Sequence, residues 1–130
     1  MDNYQFSFEK LEVWQLARIL TTDIYKHTAK FPQEEKYMLI SQLRRAAVSV
    51  ASNLAEGTTR IKPKDKAHFT TVAFSSLMEV FNQIIIAVDL GYLNNEDLIK
   101  YRKQIQTLSI KLSNLKASQL KGIGKVGLLF

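Results

Sequence analysis

The 130-residue chain contains no cysteine, so it can form neither disulfides nor thiolate metal sites. It has two prolines and five glycines, and three of those glycines fall in the last ten residues. The body is therefore sparsely punctuated, which favours long helices. Its longest uninterrupted apolar run is Ile84-Ile85-Ile86-Ala87-Val88, far short of the roughly 20 residues of a membrane span. Met1-Asp2-Asn3-Tyr4 lacks the basic-then-apolar order of a signal peptide. With 46% hydrophobic and 23% charged residues, the composition predicts a soluble, cytoplasmic, globular domain without a membrane role. Such a length suits one domain with a core of its own.

Acid is also missing from one part of the chain. No Asp or Glu follows Asp97, whereas residues 98–130 hold seven Lys and Arg, a net charge of +7. Residues 1–97 hold 11 basic and 12 acidic residues, a net charge of −1. A basic segment on a near-neutral body points weakly to a polyanion, and equally to a solvated helix face.

What is present reads as four helices. Over about 9–30, Val13, Ala17, Leu20, Ile24, His27 and Phe31 recur at spacings of three and four, and Phe31-Pro32 ends the helix. The second is predicted over about 33–57, with the stripe Ile40, Leu43, Ala47, Val50 and Leu54. Glu34 and Glu35 sit at its positive end, and Gly57 closes it in the left-handed conformation. The third runs over about 63–90, from Pro63 in its first turn to Gly91. The fourth starts at Asn94 or Asn95, with the stripe Leu98, Tyr101, Ile105, Leu108, Leu112 and Leu115. No segment has the period of a strand. Short connections make neighbours antiparallel, so the expected fold is all-α, an up-down-up-down four-helix bundle over 1–120. Residues 121–130 read as a flexible, Gly-rich tail with an apolar tip.

Two helices carry more than a lone bundle needs. The third has a stripe of Phe69, Ala73, Ser76, Val80 and Ala87 and a second of Phe74, Leu77, Phe81, Ile84 and Val88. Helix one repeats this mildly with Leu11, Trp14 and Tyr25. Opposite the core stripe of helix two run Arg45, Ser49, Ser52 and Glu56, with Asn53 beside them, through a segment of small residues. Self-association through helices two and three is expected, although a deeply placed third helix would also account for its double stripe. Asn53 and Glu56 are expected to tie the end of helix two to a neighbouring helix or subunit.

Motifs for chemistry are scarce. There is no Walker sequence, the Gly-x-Gly-x-x-Gly at Gly122, Gly124 and Gly127 follows a predicted helix rather than the strand a dinucleotide site needs, and no Glu-x-x-His pair occurs for a bundle di-metal site. His27 lies on a core stripe and reads as packing, not as a ligand. Glu34/Glu35 and Glu96/Asp97 stand at helix starts, where the dipole explains them, and the serines lack a base. No enzyme, cofactor or metal is expected.

Three stretches carry a resemblance: Phe8-Glu9-Lys10-Leu11-Glu12-Val13-Trp14-Gln15-Leu16-Ala17, Ser41-Gln42-Leu43-Arg44-Arg45-Ala46-Ala47-Val48-Ser49, and Asn53-Leu54-Ala55-Glu56-Gly57, with the turn Leu90-Gly91-Tyr92-Leu93. Over roughly 8–120 the chain resembles the four-helix-bundle proteins of the 23S ribosomal RNA intervening-sequence family. The accessory variability proteins of diversity-generating retroelements are similar. The resemblance implies a left-handed bundle assembling as a homopentamer and, for the retroelement branch, binding to nucleic acid and to a reverse transcriptase. Ala51 stands where family members often carry proline, and the 121–130 tail lies outside the pattern.

The leading expectation is a non-catalytic oligomeric module that binds RNA or DNA non-specifically. Candidate phosphate contacts are Arg60, Lys62, Lys64, Lys66, Lys116, Lys121 and Lys125. Candidate interface or structural residues are Trp14, Arg45, Ser49, Ser52, Asn53, Glu56, Gly57, Phe74 and Phe81. Sequence-specific reading is not expected, because no helix-turn-helix or RNP motif occurs. The alternative is a protein-interaction scaffold, for example an accessory subunit for a reverse transcriptase, with no direct nucleic-acid role.

Overall fold

Residues 3–121 are described by the computed structural model. They form an all-α bundle of four helices: α1 (Glu12–Thr28), α2 (Leu39–Gly57), α3 (Pro63–Asp89) and α4 (Asn95–Leu120). The expected tail from 122 onwards, Lys125 included, lies outside the described residues. A 3₁₀ turn, Ser7–Lys10, precedes α1, and the extended backbone of Leu11 separates the two. The turn sets Phe8 edge-on to Trp14, with ring centres 4.9 Å apart, and so covers part of the indole.

The second helix starts later than its period predicts. Residues Gln33–Glu35 form a 3₁₀ turn, and α2 begins only at Leu39. Met38 has a non-helical backbone and supplies no side-chain cap. Instead the Glu35 carboxylate accepts from Leu39 N at 3.4 Å through one oxygen and from the Tyr92 hydroxyl at 2.9 Å through the other. A distant tyrosine thus helps to hold the acid that meets the first free amide of α2. Gly57 also differs from expectation. It is the last residue of α2 and keeps a helical backbone; the positive φ belongs to Gly91, at 80°. A Cβ on Gly57 would lie 3.1 Å from Phe69 Cβ, so the glycine permits close approach of α2 to α3. The expected start of α4 is observed: Asn94 Oδ1 accepts from Asp97 N at 2.8 Å, and Asp97 Oδ2 accepts from Asn94 N at 3.1 Å. That reciprocal cap satisfies two otherwise free donors.

One core runs through the bundle. It includes Leu20 and Ile24 of α1, Leu43 and Val50 of α2, Leu77 and Ile84 of α3, and Leu108 and Leu112 of α4, all at most 1% exposed. Polar links cross each seam. Arg44 Nε donates to Thr28 Oγ1 at 2.9 Å and Thr21 Oγ1 to Ala47 O at 3.2 Å, between α1 and α2. The Ser49 and Ser76 hydroxyls meet at 2.8 Å, between α2 and α3. Thr70 Oγ1 donates to Gln119 Oε1 at 2.7 Å, and Arg102 lies 4.9 Å from the centre of the Phe81 ring, between α3 and α4. Lys111 Nζ donates to Glu12 Oε1 at 2.8 Å and Gln104 Nε2 to Asp23 Oδ2 at 3.2 Å, between α4 and α1.

The third helix contacts both α2 and α4, which explains much of its double stripe. Ala73, Ser76, Val80 and Ala87 of the first stripe are buried, and so are Leu77 and Ile84 of the second. Phe74, Phe81 and Val88 remain half-buried. By length and composition α3 could cross a membrane, with a window of mean hydropathy 1.6, which a search for uninterrupted runs misses because Ser and Thr break the apolar residues up. In the bundle nine of its residues are buried.

Candidate nucleic-acid interface

The α2–α3 connection is short, and the end of α2 is capped locally. Thr58 Oγ1 donates to Ala55 O at 2.7 Å and Thr59 Oγ1 to Glu56 O at 2.6 Å, which engages carbonyls left free at the end of α2. The chain then turns out through Arg60, Ile61 and Lys62, and Ile61 is 92% exposed. Pro63 starts α3, whose N-cap Lys62 supplies no side-chain acceptor. Arg60 is not loose: its guanidinium lies 4.7 Å from the centre of the Phe69 ring. Lys62 and Lys64 are exposed and Lys66 is half-buried. The Thr70–Gln119 bond brings the last turn of α4 beside the first turns of α3, which carries half-buried Lys116 and exposed Lys121 to the same end. Six of the seven sequence-predicted basic residues therefore gather at one end of the bundle. Asp65 and Glu56 are the acids nearest to them in sequence, and both are exposed.

Acids gather at the other end. The Tyr92–Glu35 bond joins the α1–α2 connection to the α3–α4 connection, so Glu34, Glu35, Asp89, Glu96 and Asp97 share that region with Lys30 and Lys36. Accepting from Tyr92, the Glu35 carboxylate raises the tyrosine's pKa above its ordinary value.

The α2 stripe divides in two. Arg45, Ser52 and Glu56 are exposed, whereas Ser49 is half-buried and bonded within the chain. Asn53 Nδ2 donates to Ser49 O at 2.8 Å and to Ser49 Oγ at 3.0 Å, so Asn53 is tied through Ser49 to Ser76 of α3. Glu56, expected to tie the end of α2 to a neighbouring helix or subunit, is exposed and makes no hydrogen bond to another helix among the described residues, so of the two only a subunit contact stays open to it. A groove of about 300 Å³ lies between α1 and α2, lined by Trp14, Arg18, Thr21, Val48, Ala51 and Ala55 among others. Ala51 and Ala55 are small, which leaves room for another side chain to approach the α2 backbone. A polar groove of about 430 Å³ lies between α2 and α3, where Tyr37, Gln42, Arg45 and Glu79 meet the Ser49–Ser76 pair. The sequence reading missed Tyr37, 82% exposed, and its neighbour Met38, because it placed both inside a continuous helix.

His27 is engaged on both ring nitrogens. Nδ1 meets the Tyr101 hydroxyl, and Nε2 lies 3.4 Å from Asp97 Oδ1. Among the described residues no group of three or more His, Cys, Asp or Glu is placed to hold a metal ion. Burial raises the pKa of Tyr101 well above 10.0, and the nearby charges of Asp23 and Asp97 add to this. The unfolded chain therefore loses this proton at lower pH than the folded one. Stability from this group is intact below pH 10 and falls as pH rises beyond it, by about 1.4 kcal/mol per pH unit at most. Tyr101→Phe should flatten that alkaline loss in urea titrations between pH 9 and 11; an unchanged slope would assign the loss to other groups.

The family model for 23S rRNA-intervening sequence protein matches residues 9–114. The chain belongs to that family. The matched span holds Arg60, Lys62, Lys64 and Lys66 together with the whole α2 face, whereas Lys116 and Lys121 lie beyond it. No curated protein matches the chain.

Proposed function

We propose that the protein is a non-enzymatic, oligomeric helical bundle that binds RNA or DNA non-specifically through its basic end. One observation carries this reading: Arg60, Lys62, Lys64 and Lys66 converge with Lys116 and Lys121 around the uncapped start of α3, and free helix N-terminal amides favour phosphate. We read the helices as an up-down-up-down, antiparallel, left-handed bundle. Support for the antiparallel order comes from paired links at each seam, Gln42–Gln83 and Arg102–Phe81 included, whose residue numbers rise on one helix as they fall on the other. Self-association, as a ring of five copies in the family resemblance, draws support from the small-residue α2 face and the α1–α2 groove. In such a ring the basic ends would lie side by side, and weak contacts would add as avidity.

The test is salt dependence. Phosphate binding releases counterions, so log affinity falls with log salt in proportion to the contacts made. Changing Arg60, Lys62, Lys64 and Lys66 together to Ala should flatten that slope by about 0.7 per lost single-strand contact, read by fluorescence anisotropy on a labelled oligonucleotide. An unchanged affinity and slope would leave the basic end as a solubility feature. The second reading, a protein-interaction scaffold, is favoured by exposed Tyr37, which lines the polar α2–α3 groove, and by exposed Met38 next to it in sequence, and it predicts partner binding that salt hardly weakens.

A further inference from the structure

A basic and aromatic groove lies at the opposite end of α2 from Arg60. It runs between α1 and α2 with a volume of about 500 Å³, inside the range of small-molecule sites. Lys36, Arg44 and Arg45 line it together with Tyr25 and Tyr37, and no acid lines it among the described residues. The sequence spreads these five over 25–45, and the packing of α2 on α1 brings them together. Arg44 is held in place. Its Nε donates to Thr28 Oγ1 at 2.9 Å, a terminal nitrogen donates to Tyr25 O at 3.3 Å, and the guanidinium lies 4.4 Å from the centre of the Tyr25 ring. Two of its five N–H donors are used, which leaves three for a ligand. Arg45 is exposed and has no hydrogen-bond or ion-pair partner among the described residues. Tyr37, 82% exposed, has Lys36 Nζ 5.4 Å from its ring centre.

We propose that this groove binds a nucleotide, with the phosphate on Arg44, Arg45 and Lys36 and the base stacked against Tyr37. A guanidinium matches phosphate with a planar fork of donors. An exposed ring beside cations is a platform for bases, and such stacking tolerates any base. An acidic peptide would meet the same three cations but brings no flat ring to cover Tyr37. The nearby acids leave the α1 side of α2 to an anion. Glu35 is engaged by Leu39 N and the Tyr92 hydroxyl, and Glu79 lines the neighbouring groove on the α3 side. Glu34 is exposed and lines neither groove. A free nucleotide and one unit of a single strand share this chemistry, and the test separates them. The site uses none of Arg60, Lys62, Lys64 or Lys66, so it stands apart from the basic end.

Two photoreactive probes test it on the full chain: iodouridine monophosphate, and a single-stranded oligonucleotide carrying one iodouridine. Crosslinking should fall on Tyr37, located by mass spectrometry of peptides. Capture of the monophosphate marks a free nucleotide as sufficient, and capture of the strand alone marks a strand as the source. Tyr37 and Arg45 are both exposed, so changing either leaves the core intact. Tyr37→Ala and Arg45→Gln should each weaken binding of the captured probe about 10-fold at unchanged far-ultraviolet circular dichroism, whereas Tyr37→Phe should bind as the native protein does. Crosslinking away from Tyr37, no crosslinking, or unchanged affinity in Tyr37→Ala would each overturn the proposal. Displacement of the probe by a polyglutamate peptide at equal concentration would also overturn it, in favour of an acidic protein partner. Failure of the basic end shows elsewhere, in an unchanged salt slope when its four residues become Ala.

Discussion

Leu77→Ala is expected to lower the unfolding free energy by about 2–5 kcal/mol, the range for truncating a fully buried leucine. Leu77 is fully buried in α3, the helix that packs against both α2 and α4. A cavity there cannot be closed by moving one neighbour without opening a seam to the other. The loss would take a large share of the 5–15 kcal/mol that stabilises a typical domain. Ile99→Ala is the matched control. Ile99 is more than half exposed on α4, and its truncation should cost well under about 1 kcal/mol. Urea unfolding separates the two, with a shifted midpoint and an unchanged slope for Leu77→Ala. Equal costs at both sites would mean that α3 is not the axis of the core.

Helix α3 also shows how far the amino-acid sequence leads. The spacing of Val13, Ala17, Leu20 and Ile24, and of Tyr101, Ile105, Leu108 and Leu112, marks core faces directly, because burial imposes the helical period. Asn94 and Gly91 mark a helix start and a turn by local chemistry alone. Local pattern fails where a distant group decides. Residues 33–38 contain nothing that forbids a helix, and the late start of α2 goes with a carboxylate shared between Leu39 N and Tyr92. The Ser49–Ser76 pair and the His27–Tyr101 contact join helices that no spacing rule relates. The basic end was half legible. Its charges can be counted in the sequence, but their convergence depends on Thr70 meeting Gln119 and on Arg60 lying over Phe69. The exposed carboxylate of Glu56 could not be anticipated, since its spacing from Asn53 suits a buried partner equally well.

Gly57→Val is expected to cost about 1–3 kcal/mol, the usual penalty for overfilling a packed site. Gly57 is buried in a helical conformation, so the cost does not come from backbone angles. It comes from α3: Phe69 Cβ would lie 3.1 Å from the new Cβ, and Lys66 O 3.7 Å away. Phe69 Cβ is fixed to the α3 backbone, so relief requires movement of the helix itself. Gly57→Ala sets the scale. Alanine is favoured over glycine in a helix by about 1 kcal/mol, which offsets the tight contact, so this variant should stay within about 1 kcal/mol of the native protein. Valine adds two methyls into the same gap and, being the poorer helix former, has a smaller offset. The effect should extend to the basic end, because Phe69 is the surface on which Arg60 rests. A displaced ring frees the guanidinium, so Gly57→Val should weaken oligonucleotide binding at low salt in the molecules that remain folded. If valine is as stable as glycine, close helix approach is not what this residue provides. If stability falls but binding does not, Arg60 does not depend on Phe69 to act.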